Sequence, residues 1–197
     1  MFTTKVKLFL WSALLAVLAA GAGTFMFFSA ENRDAFKIAA AFYRQNQSLI
    51  ENKNYLAIID YTKPSFVKRL FIYDTNKNLV TSCLVAHGKE SGLIFARDFS
   101  NDVNSHKSCK GFFITGEPFI GENGLSLRLY GLQQGLNNNA LARDIVIHGA
   151  DYVSWGSILE NFGRPGRSLG CPAVARNTIE EVVSRLKDGA LIYIHAP

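Results

Sequence analysis

Leu125-Ser126-Leu127-Arg128-Leu129-Tyr130 carries the cleanest period-two alternation in the chain, with three leucines on one face and Ser126, Arg128 and Tyr130 on the other. Successive side chains of a strand point to opposite faces, so this hexamer reads as a half-buried strand. Comparable runs surround it. Residues 56–61 and 68–74 are apolar and separated by Lys63-Pro64-Ser65, and Thr75-Asn76-Lys77-Asn78 turns the chain into an arm at 79–86. Residues 112–115 form a strand divided from the opening hexamer by 116–124, and strands at 145–148 and 190–194 follow. Residues 88–106, rich in Ser, Asn, Asp and Gly, read as a long loop, and 132–143 as a polar excursion.

Helical signals are fewer. Residues 30–54 show an irregular apolar stripe of Phe36, Ala39, Ala40, Tyr43, Leu49 and Ile50, which predicts a helix packed on the domain. Residues 152–162 hold a helical turn with Trp155, Ile158, Leu159 and Phe162 as its expected buried side. The strongest helix has Asn177 or Thr178 as cap, Ile179, Val182, Val183 and Leu186 on one face, and Gly189 as its stop. Many strands and few helices predict a mainly β domain.

The chain has 197 residues, 48% of them hydrophobic, enough for one catalytic-sized domain and an N-terminal segment. Residues 8–28 are uncharged and apolar and follow Lys5 and Lys7. Such a run spans a bilayer as an anchor, with the lysines held on the cytoplasmic side, or serves as a signal peptide cleaved after Ala20-Gly21-Ala22. Phe25 to Phe28 would dangle as an apolar tail after cleavage, which favours the anchor. Either reading exports the rest and divides the chain into 1–29, a helical segment at 30–54 and a domain at 55–197. The net charge of +5 lacks the clustered basic stripe of a nucleic-acid binder and suits an anionic envelope surface.

Chemistry concentrates in Arg164-Pro165-Gly166-Arg167-Ser168-Leu169-Gly170-Cys171-Pro172. A nucleophilic cysteine needs thiolate character, exposure and nearby N–H groups for the oxyanion. Gly170 allows a close backbone approach, while Arg164 and Arg167 would favour the thiolate. The base candidate is His148, which ends the apolar run Asp144-Ile145-Val146-Ile147. Cys83 and Cys109 could pair in an oxidising compartment or remain buried and reduced. No zinc-ligand spacing occurs, and no cofactor or metal is expected.

His148-Gly149 with Ser168-Leu169-Gly170-Cys171 resembles the His…Ser-x-Gly-Cys signature of the L,D-transpeptidase (YkuD-like) catalytic domain. Val85-Ala86-His87-Gly88, Ser105 to Phe113, Ser126 to Leu132 and Ile147 to Tyr152 resemble its murein L,D-transpeptidase-like branch, over roughly residue 55 to the C-terminus. Many family members have histidine where Leu169 stands, and Ile or Val where Pro172 stands. The resemblance therefore carries over the Cys/His pair and leaves the donor pocket undefined.

It implies a β-sandwich with a few helices and a periplasmic enzyme of the cell envelope acting on peptidoglycan stem peptides. Cys171 would be the nucleophile and His148 the acid/base, with the Gly149 carbonyl orienting the imidazole. Ser168 and Gly170 would shape the oxyanion site. His87, Ser108, Arg128, Tyr130 and Arg167 are the expected substrate contacts, arginine being suited to a carboxylate. A carboxypeptidase or another cysteine amidase or peptidase of the envelope uses the same residues. A non-catalytic cell-wall binding module is the alternative from another class.

Overall fold

The computed structural model describes residues 32–197, and Ala19 alone before them. The expected anchor or signal at 1–29 lies outside these residues; among them, no helix is long and apolar enough to cross a membrane.

Nine strands form one mixed sheet in the order β3-β2-β1-β9-β5-β6-β7-β8-β4. They are β1 (Tyr55–Asp60), β2 (Leu70–Asp74), β3 (Leu79–Cys83), β4 (Val85–Ala86), β5 (Gly111–Gly121), β6 (Gly124–Gly131), β7 (Val146–Ala150), β8 (Ala173–Ala175) and β9 (Leu191–His195). The parallel β1/β9 and antiparallel β5/β9 pairings join the two halves. One continuous sheet therefore replaces the two layers of the expected sandwich. β3 and β4 stand at opposite ends of this order, yet Leu84 alone separates them in the chain. Two residues of extended backbone span only about 7 Å, so the sheet curls until its edges meet. Ile59 and Leu70 from one half accordingly share a core with Ile147 and Val174 from the other.

Each face is closed by a helix. Helix α1 (Arg33–Gln45) packs on β1 and β9, where Ala35 and Ala39 meet Leu56, Ile58, Phe71 and Leu191. Its N-terminus is capped by Asn32, whose Oδ1 accepts from the Asp34 and Ala35 amides at 3.2 and 3.1 Å. It stops well short of residue 54, because Asn46 turns its side-chain amide back to Phe42 O at 2.9 Å and a 3₁₀ turn, Gln47–Leu49, follows. Helix α3 (Ile179–Leu186) buries Ile179, Val182, Val183 and Leu186 inside the curl. Each such side chain stabilises the fold by roughly 1.5–3 kcal/mol. Its N-cap Thr178 makes no side-chain capping bond. The other end is held by Asn52 Nδ2, which donates to Arg185 O and Lys187 O at 2.9 and 2.8 Å.

Two further expectations are corrected. Residues 116–124 do not separate two short strands: β5 runs to Gly121 and turns through Glu122-Asn123 into β6. The register shifts between Thr115 and Pro118, an irregularity that accommodates a proline with no N–H to donate. In α2 (Trp155–Glu160) only Ile158 is buried, while Trp155, Leu159 and Phe162 are 53%, 84% and 95% exposed. Six residues make less than two turns, too little for the whole apolar stripe to face inward.

The β1–β2 connection is tied to the β4 edge by Arg69, whose side chain is fully buried. Its guanidinium donates to Val85 O at 2.8 Å, Lys63 O at 3.1 Å and His87 Nδ1 at 2.7 Å, and lies 4.8 Å from the Tyr61 ring centroid. Burial draws its pKa down to about 10, so it remains charged at neutral pH. Arg69→Met is expected to lower unfolding stability by roughly 3–5 kcal/mol, because it strands buried acceptors in the β1–β2 connection, on β4 and at His87. Denaturant titration checks this; a loss under about 1 kcal/mol would show that the clamp is dispensable.

Candidate active site

Strand β7 places His148 opposite Ser126 of β6 on one side and Ala173 of β8 on the other. Cys171 lies two residues before Ala173, in the turn that leads into β8, the strand paired with β7. Both side chains line a cleft of about 560 Å³. The β5–β6 turn contributes Glu122 and Asn123 to its walls, the long loop contributes Val103, Asn104 and His106, and Arg143, Asp144, Tyr152, Arg167 and Leu169 are among the rest of the lining.

The turn carrying Cys171 is fixed by its own polar groups. The Ser168 amide donates to His87 O at 3.1 Å and the Lys89 amide to Ser168 O at 2.8 Å. Ser168 Oγ donates to Cys171 O at 2.5 Å and accepts from the Gly170 amide at 3.1 Å. Ser108 Oγ donates to Gly170 O at 3.0 Å and accepts from the Gly88 amide at 2.9 Å. Gly170 has φ +129°, and a Cβ there would stand 2.9 Å from Lys107 O, so glycine alone fits. Because Ser168 takes up the Gly170 amide, that N–H is engaged in the turn rather than held open for an oxyanion.

His148 is buried, and its Nδ1 donates to Gly149 O at 3.2 Å, a tautomer that leaves Nε2 as acceptor. Burial pushes its pKa below the ordinary 6.5, the Gly149 carbonyl opposes this, and Arg176 adds to it. Cys171 is half-buried and its thiol donates to Asp144 O at 3.3 Å. Burial raises the thiol pKa above 9.0, while the Val146 amide, the Arg143 guanidinium and the cysteine's own amide pull it down. At neutral pH burial therefore favours the thiol form of Cys171 and the uncharged imidazole of His148 within one cleft. Such a pair forms a nucleophile by proton transfer during attack, without a standing ion pair.

The guanidinium acting on the thiol is that of Arg143, within the stretch read from sequence only as a polar excursion. It donates to Cys109 Sγ at 2.7 Å, Ser105 Oγ at 3.1 Å and Lys107 O at 2.5 Å, and also to Ser100 O. It thus staples the long loop beneath Gly170. Arg167 instead donates to Lys89 O at 2.6 Å and Gly92 O at 3.1 Å. All three cysteines are free thiols; Cys109 sits against Arg143, and Cys83 is buried with its pKa pushed up to about 12.

The other expected contacts are placed differently. His87 is buried with both ring nitrogens engaged, Nδ1 by Arg69 and Nε2 by Gly92 O at 3.2 Å, and burial beside that cation depresses its pKa to about 3. Ser108 is buried beneath the cysteine turn. Arg128 pairs with Glu117 at 3.1 Å and stacks 4.6 Å from the Phe119 centroid, and Tyr130 OH reaches the same carboxylate at 3.4 Å. None of these four lines the cleft. Among the described residues, no group of three or more His, Cys, Asp or Glu could hold a metal ion.

The L,D-transpeptidase catalytic domain model matches residues 29–195. The chain belongs to this family. No curated protein sequence matches it. Among solved structures it is similar to an L,D-transpeptidase from Mycobacterium smegmatis at 11% identity and TM-score 0.44, covering 73% of this chain and 59% of that one. It is similar to the helical cell shape determining protein Pgp2 from Campylobacter jejuni at 13% identity and TM-score 0.51, with 75% and 49% covered. For the L,D-transpeptidase from Xylanimonas cellulosilytica the values are 14% and 0.45, with 82% and 77% covered. At these identities the likeness concerns the fold. The chain spans about half to three-fifths of the length of the first two.

Native alkylation is expected to modify Cys171 alone, with a pH midpoint above 9.0, and to reach Cys83 and Cys109 only in denaturant. Arg143→Gln should move that midpoint further upward. Peptide mapping across a pH series reads both, and a midpoint near neutrality would reveal a preformed thiolate instead.

Proposed function

We propose that the protein is a peptidoglycan L,D-transpeptidase working through an acyl-enzyme on Cys171. The observation carrying this reading is that a half-buried thiol, in the turn before β8, and a neutral imidazole, on the neighbouring strand β7, line one cleft.

His148 Nε2 takes the thiol proton as sulfur attacks the carbonyl carbon of the scissile peptide bond, forming the C–S bond. The oxyanion develops among the donors around the sulfur, which are the Val146 and Cys171 amides, with Arg143 supplying positive charge. Collapse breaks the C–N bond, and the imidazolium passes its proton to the departing amine. An acceptor amine then attacks the thioester, a new C–N bond forms, and the C–S bond breaks. The amine's proton returns through His148 to sulfur. Tyr152, Arg167, Leu169 and His106, which line the cleft, are the groups positioned to meet the stem peptide. The apolar run at 8–28 is read as holding the domain at the outer face of the cytoplasmic membrane.

Incubating the full chain in mild detergent with a carbapenem, whose strained amide acylates a competent thiol, should add one drug mass on Cys171. Cys171→Ala should abolish the adduct, and His148→Gln should slow it by about 10²–10⁴-fold. Because a depressed imidazole pKa preserves the basic form in acid, the rising limb of acylation against pH should have its midpoint below 6.5. An unmodified wild-type chain would contradict the enzymatic reading and favour a cell-wall binding module. Muropeptide products from a tetrapeptide donor should be cross-linked dimers; trimmed stems alone would indicate a carboxypeptidase.

A further inference from the structure

A second cavity of about 570 Å³ lies along the same strands as the catalytic cleft. His148 and Ala150 point to one face of β7, and their β8 partners are Ala173 and Ala175. His148 belongs to the cleft, while Ala150 and Ala175 belong to the second cavity. Two residues of strand separate these positions, about 6.6 Å. Between them Ala150 and Ala173 are buried in one apolar cluster with Leu84, Val153 and Ile158, so the two spaces are neighbours along the strands with packed side chains between them.

The lining of this cavity has a definite chemistry. Its ionic groups are largely neutralised within the wall: Arg176 Nε meets Asp151 at 2.7 Å, and Glu181 meets Arg185 at 3.0 Å and Thr81 Oγ1 at 2.6 Å. Lys68 is exposed and has no ion-pair partner among the described residues, so it offers donors at one side. The remaining polar lining includes Ser82 and the amide of Asn177. The same lining includes the indole of Trp155, 53% exposed on a six-residue helix that buries only Ile158. An aromatic face and neutral hydroxyl and amide groups lining one cavity suit a ligand with one C–H-rich face and a rim of hydroxyl and amide groups. Pyranose rings bearing acetamido groups have that character. The volume lies within the range of about 300–1,000 Å³ usual for small-molecule sites.

We propose that this cavity binds the amino-sugar strand from which the stem peptide hangs, with Trp155 as the stacking platform. The inference rests on the reading of the cleft as a stem-peptide site, because sugar and peptide are covalently joined in that polymer. Holding the sugar about two residues along β7 from His148 delivers its peptide to Cys171. Substrates that retain their glycan are therefore favoured over free peptides.

The test uses the full chain in detergent and a peptide-free probe, a β-1,4-linked N-acetylglucosamine tetramer. Saturation-transfer NMR should show contact with the wild type, and Trp155→Ala and Asn177→Ala should weaken affinity about tenfold or more. Carbapenem acylation of Cys171 should stay within twofold in both variants. With donor substrates, Trp155→Ala should lower kcat/KM for the glycan-linked stem by about tenfold and leave the free tetrapeptide unchanged. Wild-type acylation with no tetramer contact and equal turnover of the two donors would overturn the sugar site alone. Tetramer binding that survives both substitutions would also overturn it. A wild type that fails to acylate would instead overturn the reading of the cleft, and with it this assignment.

Discussion

One buried guanidinium constrains everything around the cleft. Arg69 has no contact with solvent, and its three acceptors come from the β1–β2 connection, from β4 and from His87. Taking an arginine out of water costs several kcal/mol, which three well-placed acceptors and the Tyr61 face offset. The result is positional. It locks β4 to the opposite half of the sheet and fixes His87, whose carbonyl accepts the Ser168 amide. From Ser168 the chain of bonds passes to Gly170 and Cys171. The position of the Cys171 turn is thus inherited from a cation far back in the sequence, and His87 transmits it without lining the cleft.

The same burial that orders the site sets its protonation states. Removing water from around Cys171 and His148 favours the uncharged form of each, raising one pKa and lowering the other. Arg143 and the neighbouring amides work against this at sulfur. The balance leaves a thiol and an uncharged imidazole in the cleft, the protonation states that the proposed acyl transfer starts from. Arg143 also anchors the long loop through Ser105, Lys107 and Cys109, so charge and loop order are linked through one side chain.

Much of the fold was legible in local patterns. The alternation at 125–130 and the apolar run at 145–148 became β6 and β7, and the stripe at Ile179, Val182, Val183 and Leu186 became the buried face of α3. The single curled sheet was not, because parallel pairing of β1 with β9 joins residues about 135 apart with no local signal. The exposed indole of Trp155 shows the limit of periodicity, which finds an apolar stripe and does not say whether anything covers it. Cys171 and His148, 23 residues apart in the chain, line one cleft. Arg143 was hidden because it stands among polar residues with nothing to set it apart, and His87 was conspicuous for a packing reason. Side-chain type flagged candidates; only the hydrogen-bond partners separated cleft from scaffold.

The central claim is that the Cys171 sulfur, activated by the adjacent neutral imidazole, accepts the acyl group of a stem peptide. The most direct measurement is acid-quenched mass spectrometry of the full chain caught in turnover with a tetrapeptide-stem donor. The account predicts a thioester of the donor's acyl part on the peptide containing Cys171, one per chain, dispersed when an acceptor amine is added. A chain that turns over donor with no modified Cys171, or carries the acyl group on another residue, would contradict it.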